Sequence, residues 1–178
     1  MPSRPRTYVA FLRAINVGGR RVKMDRLREA FEDLGFAGVA THIASGNVIF
    51  DATAKEAGAL ERKIERGLKE ALGFEVATFV RTPAELARIG ENDPFPDVKK
   101  EGKPQVGFLQ KTVTKAVREK VEALSNKDNR LTVHRKELYW LRFGGYDFGG
   151  PLLEKTLGQA TTIRGLPTLQ KIVAKHQG

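Results

Sequence analysis

The order of periodic segments constrains the fold of this chain more than any other feature. Hydrophobic spacing predicts strands at 7–13, 38–43, 47–51 and 74–81, with helices over 24–34 and 60–72. The same order returns further on, with strands at 105–110, 130–134, 137–143 and 160–164 and helices after Thr114 and from Pro151 to Leu157. Two consecutive strand-helix-strand-strand-helix-strand units predict an α+β fold, with two tandem ferredoxin-like (βαββαβ) α/β-plait subdomains and antiparallel sheets.

A segment rich in helix breakers separates the two repeats. Before it, Thr82-Pro83-Ala84-Glu85 predicts a short helix, because it combines a capping box with proline at the first helical position. The following "ENDPFPDVKKEGKP" has no periodicity, which is typical of a linker. The sequence therefore predicts a first subdomain with a short helix at 1–91, a linker at 92–104, and a second subdomain with a C-terminal helix at 105–178.

The composition indicates a basic protein without membrane or thiol chemistry. No apolar run approaches the roughly 20 residues that span a bilayer, no signal peptide is recognisable, and there is no cysteine. We therefore expect a cytoplasmic protein. The three histidines lack ligand spacing, so we expect no metal site, and no cofactor is indicated. The net charge of +10 is compatible with nucleic acid or a phosphorylated small molecule as partner, and a basic proteome or an adaptation for solubility is the alternative interpretation.

The stretch "LRAINVGGRRVKM" joins the first predicted strand to the first helix. It lacks the signatures of a Walker loop and of a dinucleotide fingerprint. Its glycine N–H groups, the helix N-terminus and its basic side chains nevertheless favour an anion. An ordinary strand-to-helix glycine turn is the alternative interpretation.

The predicted topology places this stretch beside the hairpin turn "ASGN". A right-handed crossover makes the first two strands parallel, and the first and third strands are neighbours. We therefore expect residues 16–21 to contact residues 44–47 directly. The predicted anion-binding residues are Arg13, Asn16, Gly18, Gly19, Arg20, Arg21, Ser45, Gly46 and Asn47. The same topology predicts a second basic edge, where Lys111 and Thr112 lie beside Arg135 and Lys136.

No complete catalytic motif is present, and three function classes stay open. The first is non-catalytic binding of an anionic ligand at the loop edge. The second is an enzyme acting on a small anionic substrate with Arg13, Asn16 and Asn47 as positioning groups, and the third is a protein-interaction module. Ser45 with His42 could suggest a nucleophile and a base, but no elbow motif supports that reading. RNA-binding plaits stack bases on aromatic strand residues, whereas Tyr8 and Phe11 point to opposite faces here.

The segments "LRAINVGGRRVKMDRLREAFEDLGF", "ASGNVIFD" and "LGQATTIR" closely resemble bacterial domain-of-unknown-function family 1697. The resemblance implies two plait-like subdomains and carries no established activity. Two departures stand out. Arg13-Ala14 occupies the place of the usual Arg-Gly, and Arg164-Gly165-Leu166-Pro167-Thr168 that of an Arg-Asn-Trp-Asn-Thr run. A function that needs that aromatic ring and those amides is not carried over to this chain.

Overall fold

The protein has a mixed fold of strands and helices, which confirms the predicted α+β class. The computed structural model describes residues 3–16, 21–42, 46–98, 101–144 and 150–176. Its strands are β1 Arg6–Leu12, β2 Ala37–Thr41, β3 Asn47–Ala52, β4 Thr78–Arg81, β5 Lys103–Phe108, β6 Asn129–His134, β7 Glu137–Arg142 and β8 Thr162–Gly165. Its helices are α1 Met24–Asp33, α2 Ala57–Leu72, α3 Pro83–Glu91, α4 Lys115–Glu122, α5 Gly150–Leu157 and α6 Leu166–His176.

The chain divides into two compact units. The first unit comprises Met1–Glu85 with His176–Gly178, and the second comprises Leu86–Lys175. The division falls inside α3, whereas the sequence predicts a linker over 92–104. None of the described helices combines the length and the apolar character that crossing a bilayer requires.

The first unit contains a four-stranded antiparallel sheet in the order β2-β3-β1-β4. Strand β1 is central, and all of its residues from Tyr8 to Leu12 are buried, which explains its continuous apolar run. One face of the sheet packs against α1 and α2. The core on this face contains Tyr8, Ala10, Leu12, Leu27, Phe31, Phe50, Leu60, Ile64 and Leu68.

Strand β4 is shorter than the predicted strand at 74–81. Its pairing with β1 begins at Thr78, which lies opposite Leu12 at the last position of β1. Beyond that point only one backbone bond continues, from the Arg13 N–H to the Ala77 carbonyl at 3.0 Å. Residues 74–77 of the predicted strand therefore lie outside β4, because the ladder ends where β1 ends.

The second unit repeats this arrangement with the order β6-β7-β5-β8, again antiparallel throughout. Its helix-facing core contains Leu109, Val121, Leu131, Val133, Leu138, Trp140, Leu153 and Leu157. The indole of Trp140 donates to the Asn129 side chain at 2.8 Å, so the buried amide and the buried indole satisfy each other.

Two helix starts form as the sequence predicts. Glu85 N–H donates to the Thr82 hydroxyl at 3.1 Å, while the Thr82 N–H donates back to the Glu85 carboxylate at 3.4 Å. This reciprocal pair is the predicted capping box at α3. At α4, the Thr114 hydroxyl accepts from the Val117 N–H at 3.2 Å.

Candidate functional site

The end of β1 and the β2–β3 turn lie at the same edge of the first sheet. Asn47 pairs with Phe11, and the Leu12 N–H donates to the Gly46 carbonyl at 2.9 Å. A Cβ on Gly46 would lie 2.9 Å from Ile15 Cγ2 and 3.1 Å from Leu12 Cβ, and the φ of Gly46 is +77°. Both the close approach and the left-handed backbone therefore require glycine at this position.

The two amide side chains of the predicted site hold the backbone in place. The Asn47 amide donates to the His42 carbonyl at 3.0 Å, and the His42 N–H donates to the Asn47 carbonyl at the same distance. Asn47 is completely buried. The side-chain oxygen Oδ1 of Asn16 accepts a hydrogen bond from the Val22 N–H at 2.8 Å, so this bond joins the two ends of the segment between them.

Two of the three cations of the predicted site, Arg13 and Arg21, lie among the described residues. Arg13 is half-buried immediately after β1, and Arg21 is exposed just before the Val22 N–H that Asn16 binds. Of the predicted residues, Gly18, Gly19, Arg20 and Ser45 lie outside the described residues. Gly46 meets Leu12 and Ile15 at the end of β1, so the described contact is made just before the stretch 16–21.

Ala14 has an unusual backbone conformation in this region. Its φ is +54°, in the left-handed region that non-glycine residues rarely adopt. This is the position where the resembling family usually has glycine. The strain therefore has a direct cause in the sequence, since alanine occupies a turn conformation that glycine adopts without a steric penalty.

An equivalent edge exists in the second unit. The Leu109 N–H donates to the Lys136 carbonyl at 2.9 Å, as Leu12 does to Gly46 in the first unit. A cavity of about 150 Å³ beside it is lined by Thr112, Val113, Thr114, Lys115, Arg118, Val133 and Arg135. Arg135 also has a left-handed backbone, with φ of +55°. The predicted neighbourhood of Thr112 and Arg135 is therefore present, and it is rich in cations.

The sequence reasoning missed a larger cavity, which we name the α3 cavity. It has a volume of about 260 Å³ and lies in the second unit, on the face of the sheet opposite α4 and α5. Its apolar lining includes Ile89, Phe95, Val106, Tyr139, Leu141 and Leu166, and its polar lining includes Glu91, Asn92, Asp93 and Gln105. The signal that was missed is the alternation of side chains between the two faces of the sheet along β5 and β7. It places Val106 and Tyr139, which are paired across the two strands, on this face.

Tyr139 forms part of the wall of the α3 cavity. The residue is only 5% exposed, and its phenol is hydrogen-bonded to the Asn92 side chain. Burial raises the pKa of the Tyr139 phenol above its usual value, and the hydrogen bond from Asn92 opposes this shift. Tyr139 also lines an adjoining polar cavity of about 260 Å³, whose charged and polar lining is Arg88, Glu91, Asn92, His134, Arg135 and Glu137.

Other polar groups are engaged in holding the fold. Glu61 of α2 accepts from the Val80 N–H at 3.0 Å and lies 3.9 Å from the Arg81 guanidinium, with both side chains almost fully buried. The Arg164 guanidinium donates to the Thr162 hydroxyl at 2.8 Å, and burial lowers the pKa of Arg164 to about 10. Over the described part of the chain, no three metal-ligating side chains cluster together.

Comparisons with known proteins agree with this architecture. The model of a family described as "Protein of unknown function (DUF1697)" matches residues 6–139. The chain is similar in structure to conserved bacterial protein SP0830 from Streptococcus pneumoniae, with a TM-score of 0.75 and 22% identity over 98% of this chain and 100% of that chain. No curated protein matches the chain. Since the family match spans most of the sequence, the chain belongs to the family of proteins of unknown function DUF1697.

Proposed function

We propose that the protein binds a phosphate-bearing ligand without catalysis, with nucleic acid as its main ligand, at the edge formed by β1 and the β2–β3 turn. The hydrogen bond from Leu12 to Gly46 carries the proposal, because it sets the glycine turn against the end of β1. Arg13 and the loop that Asn16 closes emerge at that point. The proposed ligand-binding residues are those predicted from the sequence.

The physical basis is the concentration of donors at one edge. Within the loop closed by Asn16 and Val22, the chain has two glycines, whose N–H groups can approach an anion closely, followed by Arg20 and Arg21. Arg21 is exposed, so its guanidinium is accessible to a phosphate. The net charge of +10 adds a long-range attraction for a polyanion, which is why we favour nucleic acid over a small phosphorylated molecule.

A salt titration of oligonucleotide binding tests the proposal. We expect a labelled single strand to bind at low salt, and its affinity to fall linearly with salt on a logarithmic scale. Replacing both Arg20 and Arg21 with alanine should flatten this slope by about 1.4, because each lost phosphate contact contributes about 0.7. The matched control is Arg62→Ala with Arg66→Ala on the exposed side of α2, which should leave the slope unchanged.

The outcomes separate the ligand classes. Equal effects of the two double variants would contradict the edge as the site, since only the overall charge would then matter. If no oligonucleotide binds at low salt, nucleic acid is excluded, and inorganic pyrophosphate is tested by the change in melting temperature. Absence of a pyrophosphate effect as well would overturn the proposal of phosphate binding.

We also propose a finer description of fold and location. The strand orders β2-β3-β1-β4 and β6-β7-β5-β8, each with a βαββαβ sequence of elements, support two ferredoxin-like plaits. A cytoplasmic location belongs to the same proposal, and the absence of cysteine is compatible with it.

A further inference from the structure

We propose that the α3 cavity of the second unit binds a small aromatic amine, with its ring against Tyr139 and its ammonium group near Glu91 and Asp93. This inference is independent of phosphate binding at the edge of the first unit. It rests on the size of the cavity, on its apolar lining and on the negative charge of the two ionised side chains that line it.

The volume of the cavity suits a ligand of one or two rings. Its 260 Å³ is just below the range of about 300–1,000 Å³ that drug-sized ligands occupy. An indole-sized ring system fits such a space.

The walls are apolar and held in place. The Asn92 side chain fixes the phenol of Tyr139, and the Arg130 guanidinium lies 5.7 Å from the centre of the Phe95 ring. Val106 and Leu141 complete the sheet side of the cavity. Aromatic walls that do not move on binding favour a planar ring, because stacking then costs little conformational entropy.

The charged side chains that line the cavity have the opposite sign to the net charge of the unit, although Arg130 lies against Phe95 and Arg88 and Arg135 line the adjoining polar cavity. Between Leu86 and Lys175 the chain has 17 lysines and arginines against 10 acidic residues. Among the described lining residues, however, the charged side chains are Glu91 and Asp93, with no lysine, arginine or histidine. Asp93 is oriented by the Phe95 N–H at 3.2 Å, and Glu91 is exposed at the end of α3. A carboxylate rim on an apolar cavity favours a cationic head group and disfavours an anionic one.

A side chain introduced at Gly90 would extend into the cavity. Gly90 lines the cavity inside α3, and a Cβ built on it would meet nothing closer than the Leu166 Cδ1 atom at 3.8 Å. A larger side chain at this position enters the cavity without displacing the backbone. Leucine is also a better helix former than glycine, so Gly90→Leu should block the cavity while the protein stays folded.

The test uses one ring system with three charges. Tryptamine, indole and indole-3-acetate are titrated into the full-length protein and followed by calorimetry and by amide chemical shifts. We expect tryptamine to bind most tightly, indole more weakly and indole-3-acetate most weakly, with shifts concentrated at 89–95 and 104–106. Glu91→Gln should weaken tryptamine about two- to fivefold and leave indole unchanged, as expected for one exposed ion pair.

Two further variants make the result decisive. Gly90→Leu should abolish binding of all three compounds with an unchanged or higher melting temperature. Glu119→Gln on α4, whose carboxylate faces Lys115 at 4.0 Å, removes the same charge on the opposite side of the sheet and should change nothing in binding. Binding of none of the compounds at millimolar concentration, a preference for indole-3-acetate, or unaltered binding by Gly90→Leu would each overturn the proposal.

Discussion

Ala14 shows how one residue can store strain beside a candidate site. A left-handed backbone costs a non-glycine residue about 1–2 kcal/mol, and the φ of Ala14 is +54°. Ala14→Gly removes this cost. It also stabilises the unfolded chain by about 0.4–1 kcal/mol, because glycine gives that chain more conformational entropy. We therefore expect the free energy of unfolding, measured in urea, to rise by about 0.5–1 kcal/mol.

The control for Ala14 is a second alanine with ordinary helical geometry. Ala84 is exposed in the first turn of α3, so Ala84→Gly should lower the free energy of unfolding by up to about 1 kcal/mol. A loss of stability in Ala14→Gly similar to that of the control would show that the conformation at residue 14 is not strained.

Tyr139 predicts a dependence of stability on alkaline pH. Because burial raises the pKa of its phenol above 10, the folded state keeps this proton at pH values where the unfolded state releases it. The stabilisation is therefore complete below pH 10 and is lost as pH rises through the folded-state value. In urea unfolding, we expect the wild type to be more stable than Tyr139→Phe by a difference in free energy that shrinks between pH 9 and pH 11. This range brackets pH 10, which is the pKa of the phenol in the unfolded chain. An advantage that stays constant or grows would contradict a raised pKa.

At the scale of elements, periodicity predicts most of the fold but not the cavity. Regular spacing of apolar residues is a local signal, so the helices and most strands are found near their predicted places. The segment after α3 has no periodicity and suggests a linker, yet Phe95 is buried and lines the α3 cavity. Its partners Val106 and Tyr139 are distant in sequence, and only the folded sheet brings them together.

The candidate edge was partly accessible to the same reasoning. Topology alone places the turn at Gly46 beside the end of β1, and the bond from Leu12 agrees with that placement. The structural role of Asn47 could not be predicted from the sequence. An amide that is buried against the His42 carbonyl and an amide that binds a ligand are the same residue in a sequence.

Two glycines in different elements should respond oppositely to the same substitution. In β5, a Cβ on Gly107 would lie 3.2 Å from the Leu138 Cβ and 2.8 Å from the Thr161 hydroxyl, which is bonded to the Phe108 carbonyl. Gly107→Ala should therefore cost about 1–3 kcal/mol of unfolding free energy through overpacking. Gly90→Ala has open space and a helical backbone, so it should gain about 0.5 kcal/mol. Equal effects in urea unfolding would show that the close approach around Gly107 relaxes freely.

At the scale of the whole molecule, the net charge and the local edge make different predictions. The rate of association with an oligonucleotide at low ionic strength reflects mainly the long-range field of the protein, whose formal charge is +10. The pair Arg20→Ala with Arg21→Ala and the pair Arg62→Ala with Arg66→Ala each remove two positive charges. Both double variants should therefore lower this association rate to the same extent.

The oligonucleotide slope depends instead on which cations touch phosphates. The same two double variants should therefore separate in the salt titration although they coincide in the association rate at low ionic strength. This pattern distinguishes a localised site from a uniformly basic surface, because a uniform surface makes the variants equal in both measurements. Slower association of the Arg20 and Arg21 variant than of the control would instead show that the edge dominates the long-range field as well, which the spread of basic residues over both units argues against.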